Sequence, residues 1–375
     1  MIIKSGQIVK ILAVFILSMF LLDAAFAETK TIYRPDGSVF MVVSLVDGKK
    51  EGKAFLYGPN LLIQAEYNFK NDLKDGPEII VWPDGTIQAR RMYKEGKVEG
   101  IAQYYVNNCL VTEQAFKNGK REGLEKAYYG DGSIKSEQPY RLDKKEGVAK
   151  FYDSKGTVYL EQPYENDLRE GLSRYYQAFI PVKLDSVFSE KLRVEQDYAA
   201  GQLVKEIPYV ADKREGTAKY YANTGKVIYE EKYQDNLVHG VCKDYYADGT
   251  LKSEEPFVHG RQNGVAKYYN QSGKLLDEVP FVEGRRQGTA RTYLEAGVLE
   301  SEQPYQNDLM QGEKRSYYPN GKLKEIKPYA QDTVDGAWRF FYENGRVSAE
   351  SIYEHGTTVK SWVRYDENGN ETNKE

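Results

Sequence analysis

Glycine recurs along this chain with a period that few folds can accommodate. Gly52, Gly76, Gly100, Gly123, Gly147 and Gly171, then Gly216, Gly240, Gly264, Gly288, Gly312 and Gly336, stand 24 residues apart at nearly every step within each run. Nine residues after most of them comes a second glycine, as at Gly132, Gly156, Gly225, Gly249, Gly273 and Gly321. A fixed period of this length marks a tandem array whose unit is one supersecondary element. With the first glycine as position zero, position five is almost always aromatic, from Tyr57 and Tyr105 to Tyr317 and Phe341. Position eleven is usually aliphatic (Val158, Val227, Leu251, Leu275, Leu323), and position seventeen is aromatic again (Phe69, Tyr140, Tyr209, Tyr233, Phe281). Position sixteen is often proline, as at Pro139, Pro163, Pro256, Pro280, Pro304 and Pro328.

These positions spell a β-hairpin. Positions one to six are a Tyr- and Val-rich strand, followed by Asp131-Gly132, Asp248-Gly249 or Asn320-Gly321 as a turn needing positive φ. Positions ten to seventeen are the return strand, and six residues such as Glu165–Glu170, most of them polar, lead to the next unit as a loop. The proline cannot donate to a ladder and is expected at a strand end. One hairpin cannot bury its aromatic face alone, whereas stacked neighbours can. The expected fold is all-β: tandem β-hairpin repeats forming an elongated antiparallel meander or solenoid sheet. Composition agrees, because 41% hydrophobic residues and 32 tyrosines argue against disorder.

Two breaks interrupt the frame. The unit after Gly100 has a turn one residue shorter, with Asn108 in place of glycine. The step from Gly171 to Gly216 is 45 residues, read as two units, the second shortened (irregular stretch about 171–215). Residues 1–27 do not belong to the array. Lys4 and Lys10 precede an apolar run from Ile11 to Leu22, and Ala25-Phe26-Ala27 is a small-x-small cleavage site. That is the layout of a secretory signal peptide, and the run is short for a membrane span. Cleavage near Ala27 would start the mature chain at Glu28, where the repeat frame also begins, and would place it in the periplasm or outside the cell. The repeat array then occupies 28–375.

The pattern G-x-A-K-Y-Y-x-x-x-G-K resembles the bacterial variant of the MORN repeat; it is spelled by Gly216-Thr-Ala-Lys-Tyr-Tyr with Gly225-Lys226, and by Gly264-Val-Ala-Lys-Tyr-Tyr with Gly273-Lys274. Chains of this kind are grouped as a YwqK-like antitoxin family, so the resemblance implies a partner to be neutralised. MORN repeats elsewhere imply scaffolding and membrane association.

Position three is basic in many units (Lys126, Lys219, Lys267, Arg291, Arg339) and position fourteen acidic (Glu137, Glu230, Glu278, Glu302, Glu350). A tight turn would set three opposite fourteen, which makes them cross-strand pairs more readily than a charged binding track. The aromatics at five and seventeen are read as the core. Tyr104, Tyr175, Tyr220 and Tyr268, next to position five, are read as facing the other way and available to a ligand. A second candidate surface is the irregular stretch with Phe179, Ile180, Val187 and Phe188. Cys109 and Cys242 lie more than five units apart, roughly 50 Å on a solenoid, too far for a disulfide.

His239, His259 and His355 show no metal-ligand spacing, and no nucleophile motif or phosphate loop is present. No catalytic, cofactor or metal residue is therefore assigned. The net charge of −4 with no basic stripe speaks against nucleic acid. The expectation is a non-catalytic exported scaffold that binds a protein or an envelope surface, with end-to-end self-association through exposed terminal strands as a further partner mode. The alternatives are an antitoxin-like neutraliser and an envelope enzyme.

Overall fold

The computed structural model describes residues 28–178 and 199–374. The signal-peptide reading and Phe179, Ile180, Val187 and Phe188 lie outside the described residues. Among the described residues there are strands and turns and no helix. The chain divides into two compact bodies, one ending at Gly156 and the other starting at Thr157. Within each body the strands pair antiparallel with their neighbours in sequence, so each body is an up-and-down meander.

One repeat illustrates the rest. Gly216–Tyr221 is the outgoing strand, Val227–Gln234 the return strand, and Leu237–Val238 a short third strand. Gly216 opposes Tyr233, Lys219 opposes Glu230 and Tyr220 opposes Tyr229, but Tyr221 opposes Val227. One extra residue in the return strand thus forms a bulge beside the turn. The same shift recurs at Tyr268/Tyr269, Thr292/Tyr293 and Phe340/Phe341.

The bulge changes which residues share a face. Positions zero, two and four lie with thirteen, fifteen and seventeen. Positions one, three and five lie with fourteen and sixteen. Positions five and seventeen, expected together in the core, therefore stand on opposite faces. The buried face belongs to seventeen. Ala218 at position two is fully buried in a cluster with Ile207, Tyr209, Tyr220 and Tyr233. Ala54, Ala102, Ala149 and Ala266 are buried in the same way. Alanine fits there because the rings at four and seventeen already fill the face. Arginines at position twenty-two cover the outer side of those rings. Arg121, Arg214 and Arg286 lie 4.1, 4.3 and 4.2 Å from the ring centroids of Tyr140, Tyr233 and Tyr305.

The turns differ in type from the expectation. In Asp131-Gly132 only the glycine has positive φ, at 85°. Asp131 instead accepts from the Ser133 N–H at 2.9 Å, because a short carboxylate reaches its own backbone two residues on. The two-residue turn with both φ positive occurs where a polar loop was expected, as at Asn307 (50°) and Asp308 (71°). It joins the return strand to the short third strand, pairing Gln306 with Leu309. These turns stitch successive repeats together. The Asp308 N–H donates to the Arg286 carbonyl at 3.0 Å, and the Arg286 N–H donates to Asp308 Oδ1 at 2.8 Å.

The proline is not at a strand end either. Pro280 sits inside Leu275–Val282 and opposes Val265. Toward the next repeat, the ladder pairs Asp277 and Glu278 with Thr292 and Arg291, then skips to Phe281 and Val282 with Arg286 and Arg285. Pro280 lies in that gap, where a missing N–H costs nothing, and its carbonyl accepts from the Gln287 N–H at 3.0 Å.

Candidate interaction surface

The exposed face of the meander carries a ladder of charge and tyrosine. Opposite pairing of three and fourteen produces ion pairs: Arg291–Glu302 at 3.0 Å, Arg339–Glu350 at 2.6 Å, Lys243–Glu254 at 3.4 Å. The cross-strand reading of these charges is therefore correct. The same glutamate also faces position three of the next repeat, as Glu230 faces Lys243. A third partner is the tyrosine at position five of the following repeat. Tyr128 donates to Glu113 at 2.6 Å, Tyr152 to Glu137 at 2.7 Å, Tyr176 to Glu161 at 2.9 Å and Tyr221 to Glu206 at 2.6 Å. Tyr245, Tyr293 and Tyr317 repeat the contact on Glu230, Glu278 and Glu302. In these repeats position five is thus a polar strut between repeats rather than core, while Tyr105 bonds Gln103 of its own strand and Phe341 has no hydroxyl. Exposed pairs of this kind contribute about 0.2–1 kcal/mol each, and they recur from repeat to repeat with the same register.

The struts shift both partners. Burial, then the bond to glutamate, pushes Tyr128, Tyr176 and Tyr245 up to about 12. The hydrogen bond from Tyr128, then that from Gln103, holds the Glu113 carboxyl below its usual range. Arg339 does the same for Glu350. A carboxyl with a lowered folded pKa stabilises the fold above its ordinary value and loses that contribution as pH falls through the lowered one. Urea midpoints are therefore expected to drop on acidification below about pH 4, and to drop less in Glu113→Gln and Glu350→Gln.

The ladder leaves little charge unpaired, but the same face exposes apolar side chains beside it. Position one places Val241 and Val265 there, and positions eighteen and twenty-one add Val258, Val282, Leu237 and Leu309. All six are between 37 and 49% exposed, on successive repeats of the second body. Their prolines at sixteen extend the stripe, since Pro256 opposes Val241 and Pro280 opposes Val265.

The tyrosines read as ligand-facing lie on the other side. Tyr220 is buried in the cluster with Tyr233, Tyr175 packs against the same cluster, and Tyr104 and Tyr268 are half-buried. The parity change at the bulge puts them there. Cys109 is exposed and Cys242 is buried at position two, both with free thiols. Burial pushes the Cys242 thiol up. Of the two, Cys109 is expected to react at once with an aromatic disulfide reagent and Cys242 only on unfolding, which a thiol count with and without urea reads directly.

His239 and His259 stack edge to face at 5.2 Å. They occupy positions twenty-three and nineteen of neighbouring repeats, where Glu215 elsewhere accepts the Asp235 N–H. That 20-residue offset was the available signal for the contact. Among the described residues, no group of three or more His, Cys, Asp or Glu is placed to hold a metal ion.

Eight segments match the family described as MORN repeat variant: 121–141, 145–166, 214–235, 238–259, 262–283, 286–307, 310–331 and 334–355. These units are MORN repeat variants. Each later MORN match opens at the short third strand and closes within the following two-residue turn, so its boundaries bracket the charge pair, while the strut crosses to the glutamate of the preceding repeat. The same hairpin register is present before the matched residues, since Gly52 opposes Phe69 and Phe55 opposes Glu66 in the same frame. A search of curated proteins finds no match. Among solved structures, the crystal structure of TcdB2-TccC3-Cdc42 is 9% identical, over 90% of this chain and 23% of that one, with a TM-score of 0.13. That of TcdB2-TccC3 is 11% identical over 90% and 23%, with a TM-score of 0.16. The Photorhabdus luminescens Tc holotoxin pore with the TccC3-D651A mutation is 11% identical over 90% and 22%, with a TM-score of 0.13. The chain spans under a quarter of the length of these structures.

Proposed function

We propose that this MORN-repeat chain is an exported, non-catalytic scaffold whose exposed apolar stripe binds a protein partner or an envelope surface. The observation that carries this reading is the contrast on one face: charges and tyrosines satisfy one another, while Leu237, Val241, Val258, Val265, Val282 and Leu309 stay open to solvent. Repetition of a weak contact at a fixed spacing favours avidity over a single deep pocket. Export rests on the leader-like first 27 residues and is tested by amino-terminal sequencing, which should begin at Glu28.

The test of the binding role is affinity capture from envelope extract with the chain from Glu28, beside the variant Val258→Lys, Val265→Lys, Val282→Lys. The side chains are exposed, so the variant should keep its circular dichroism. One dominant stoichiometric protein, lost with the variant, supports the stripe and points to a neutraliser of the antitoxin type. Many weak partners lost together support a general scaffold. Recovery of the chain itself marks association through terminal strands. Capture unchanged by the variant contradicts the reading.

A further inference from the structure

Position two is most often alanine, but the last repeats place large rings there. Trp338 and Trp362 stand there instead. Their rings lie 5.3 Å apart edge to face, and Phe340 lies 5.6 Å from Trp362. Trp338 is fully engaged: its Nε1–H donates to Glu325 at 2.7 Å, and Lys327 lies 3.8 Å over the ring. Trp362 and Phe340 instead line a half-open cavity of about 430 Å³. The polar groups around it are Lys324, Arg364, Ser348 and Tyr318. The Tyr318 hydroxyl is already spent on the Phe341 carbonyl at 2.7 Å. Lys324 leans on the Tyr318 ring at 5.8 Å. Among the described residues, no carboxylate lies within ion-pair distance of Lys324 or Arg364.

We infer that this cavity is a binding site for a small, flat apolar ring bearing a carboxylate. The rings supply the stacking surface, and the two cations supply donors for the anion. A neutral sugar fits less well, because it would leave the two cations without an anion. Of the three tryptophans in the chain, two meet here. It uses the buried face, opposite the stripe, so it stands independently of the scaffold reading.

Calorimetric titration of the full-length chain with indole-3-acetate and with its neutral counterpart tryptophol tests this. The expected result is saturable binding of the acid, at least about 10-fold tighter than the alcohol, as a charge-assisted contact implies. Arg364→Gln with Lys324→Gln should erase that preference, and Trp362→Ala should remove binding of both probes. Arg364 is exposed, so loss of fold does not confound the charge variant. Equal affinity for the two probes, a preference that survives the charge variant, or no saturable binding of indole-3-acetate would overturn the proposal.

Discussion

Gly264→Val is expected to destabilise the second body by about 3 kcal/mol, read as a fall in its denaturant midpoint. Gly264 has a φ of 118°, in a region that side chains with a Cβ rarely enter. A Cβ placed there would stand 3.0 Å from Pro256 Cγ, the ring of the preceding repeat. Two costs therefore add, backbone strain and a clash against a rigid ring. They separate experimentally. Pro256→Ala in the same chain should recover the clash but not the strain, so roughly half of the loss remains. The same juxtaposition at Gly288 with Pro280 and Gly336 with Pro328 explains why glycine and proline recur in phase.

Tyr233→Ala should cost about 3–5 kcal/mol, as truncation of a buried aromatic ring does. Its ring is 5% exposed in the cluster with Ile207, Tyr209, Ala218 and Tyr220. The guanidinium of Arg214 covers it at 4.3 Å, and its hydroxyl donates to Glu231 at 2.6 Å. Truncation removes the ring, strips Arg214 of its platform and takes a donor from Glu231. Tyr233→Phe keeps the packing and loses the bond to Glu231 and the one accepted from Arg214 at 3.0 Å, so it should cost about 1.5–3 kcal/mol, the range for hydrogen bonds to charged groups. A larger loss in the phenylalanine variant than in the alanine one would contradict this division.

The period and the hairpin were legible because glycine at positive φ and aromatic alternation are local signals. Opposition of three and fourteen, as in Arg291 and Glu302, followed from a short turn alone. The faces were not legible. One bulged residue beside Tyr221 reverses the parity of the return strand, and no residue type marks it. Tyr221 thus became a strut on Glu206 while Tyr220 turned into the core. The two-residue turn was also missed, because Asn307-Asp308 and Asp235-Asn236 read as polar loop. Their recurrence in phase with His259-Gly260 and Glu283-Gly284 was the overlooked signal. The stripe of Val258, Val265 and Leu309 assembles only once the pairing between repeats is known.

The measurement that tests this arrangement most directly is a spectrophotometric titration of the 32 tyrosines, followed alongside by circular dichroism. Exposed tyrosines should ionise near about 10. The struts, with Tyr128, Tyr176 and Tyr245 pushed up to about 12, should hold their protons beyond that. A raised folded pKa contributes stability below the ordinary value and loses it as pH rises through the folded one, so the sheet signal should fall with the second step. Two steps, the later one coincident with loss of the sheet, are the expected result. A single step near 10 in a chain that stays folded would contradict the tyrosine–glutamate register between repeats.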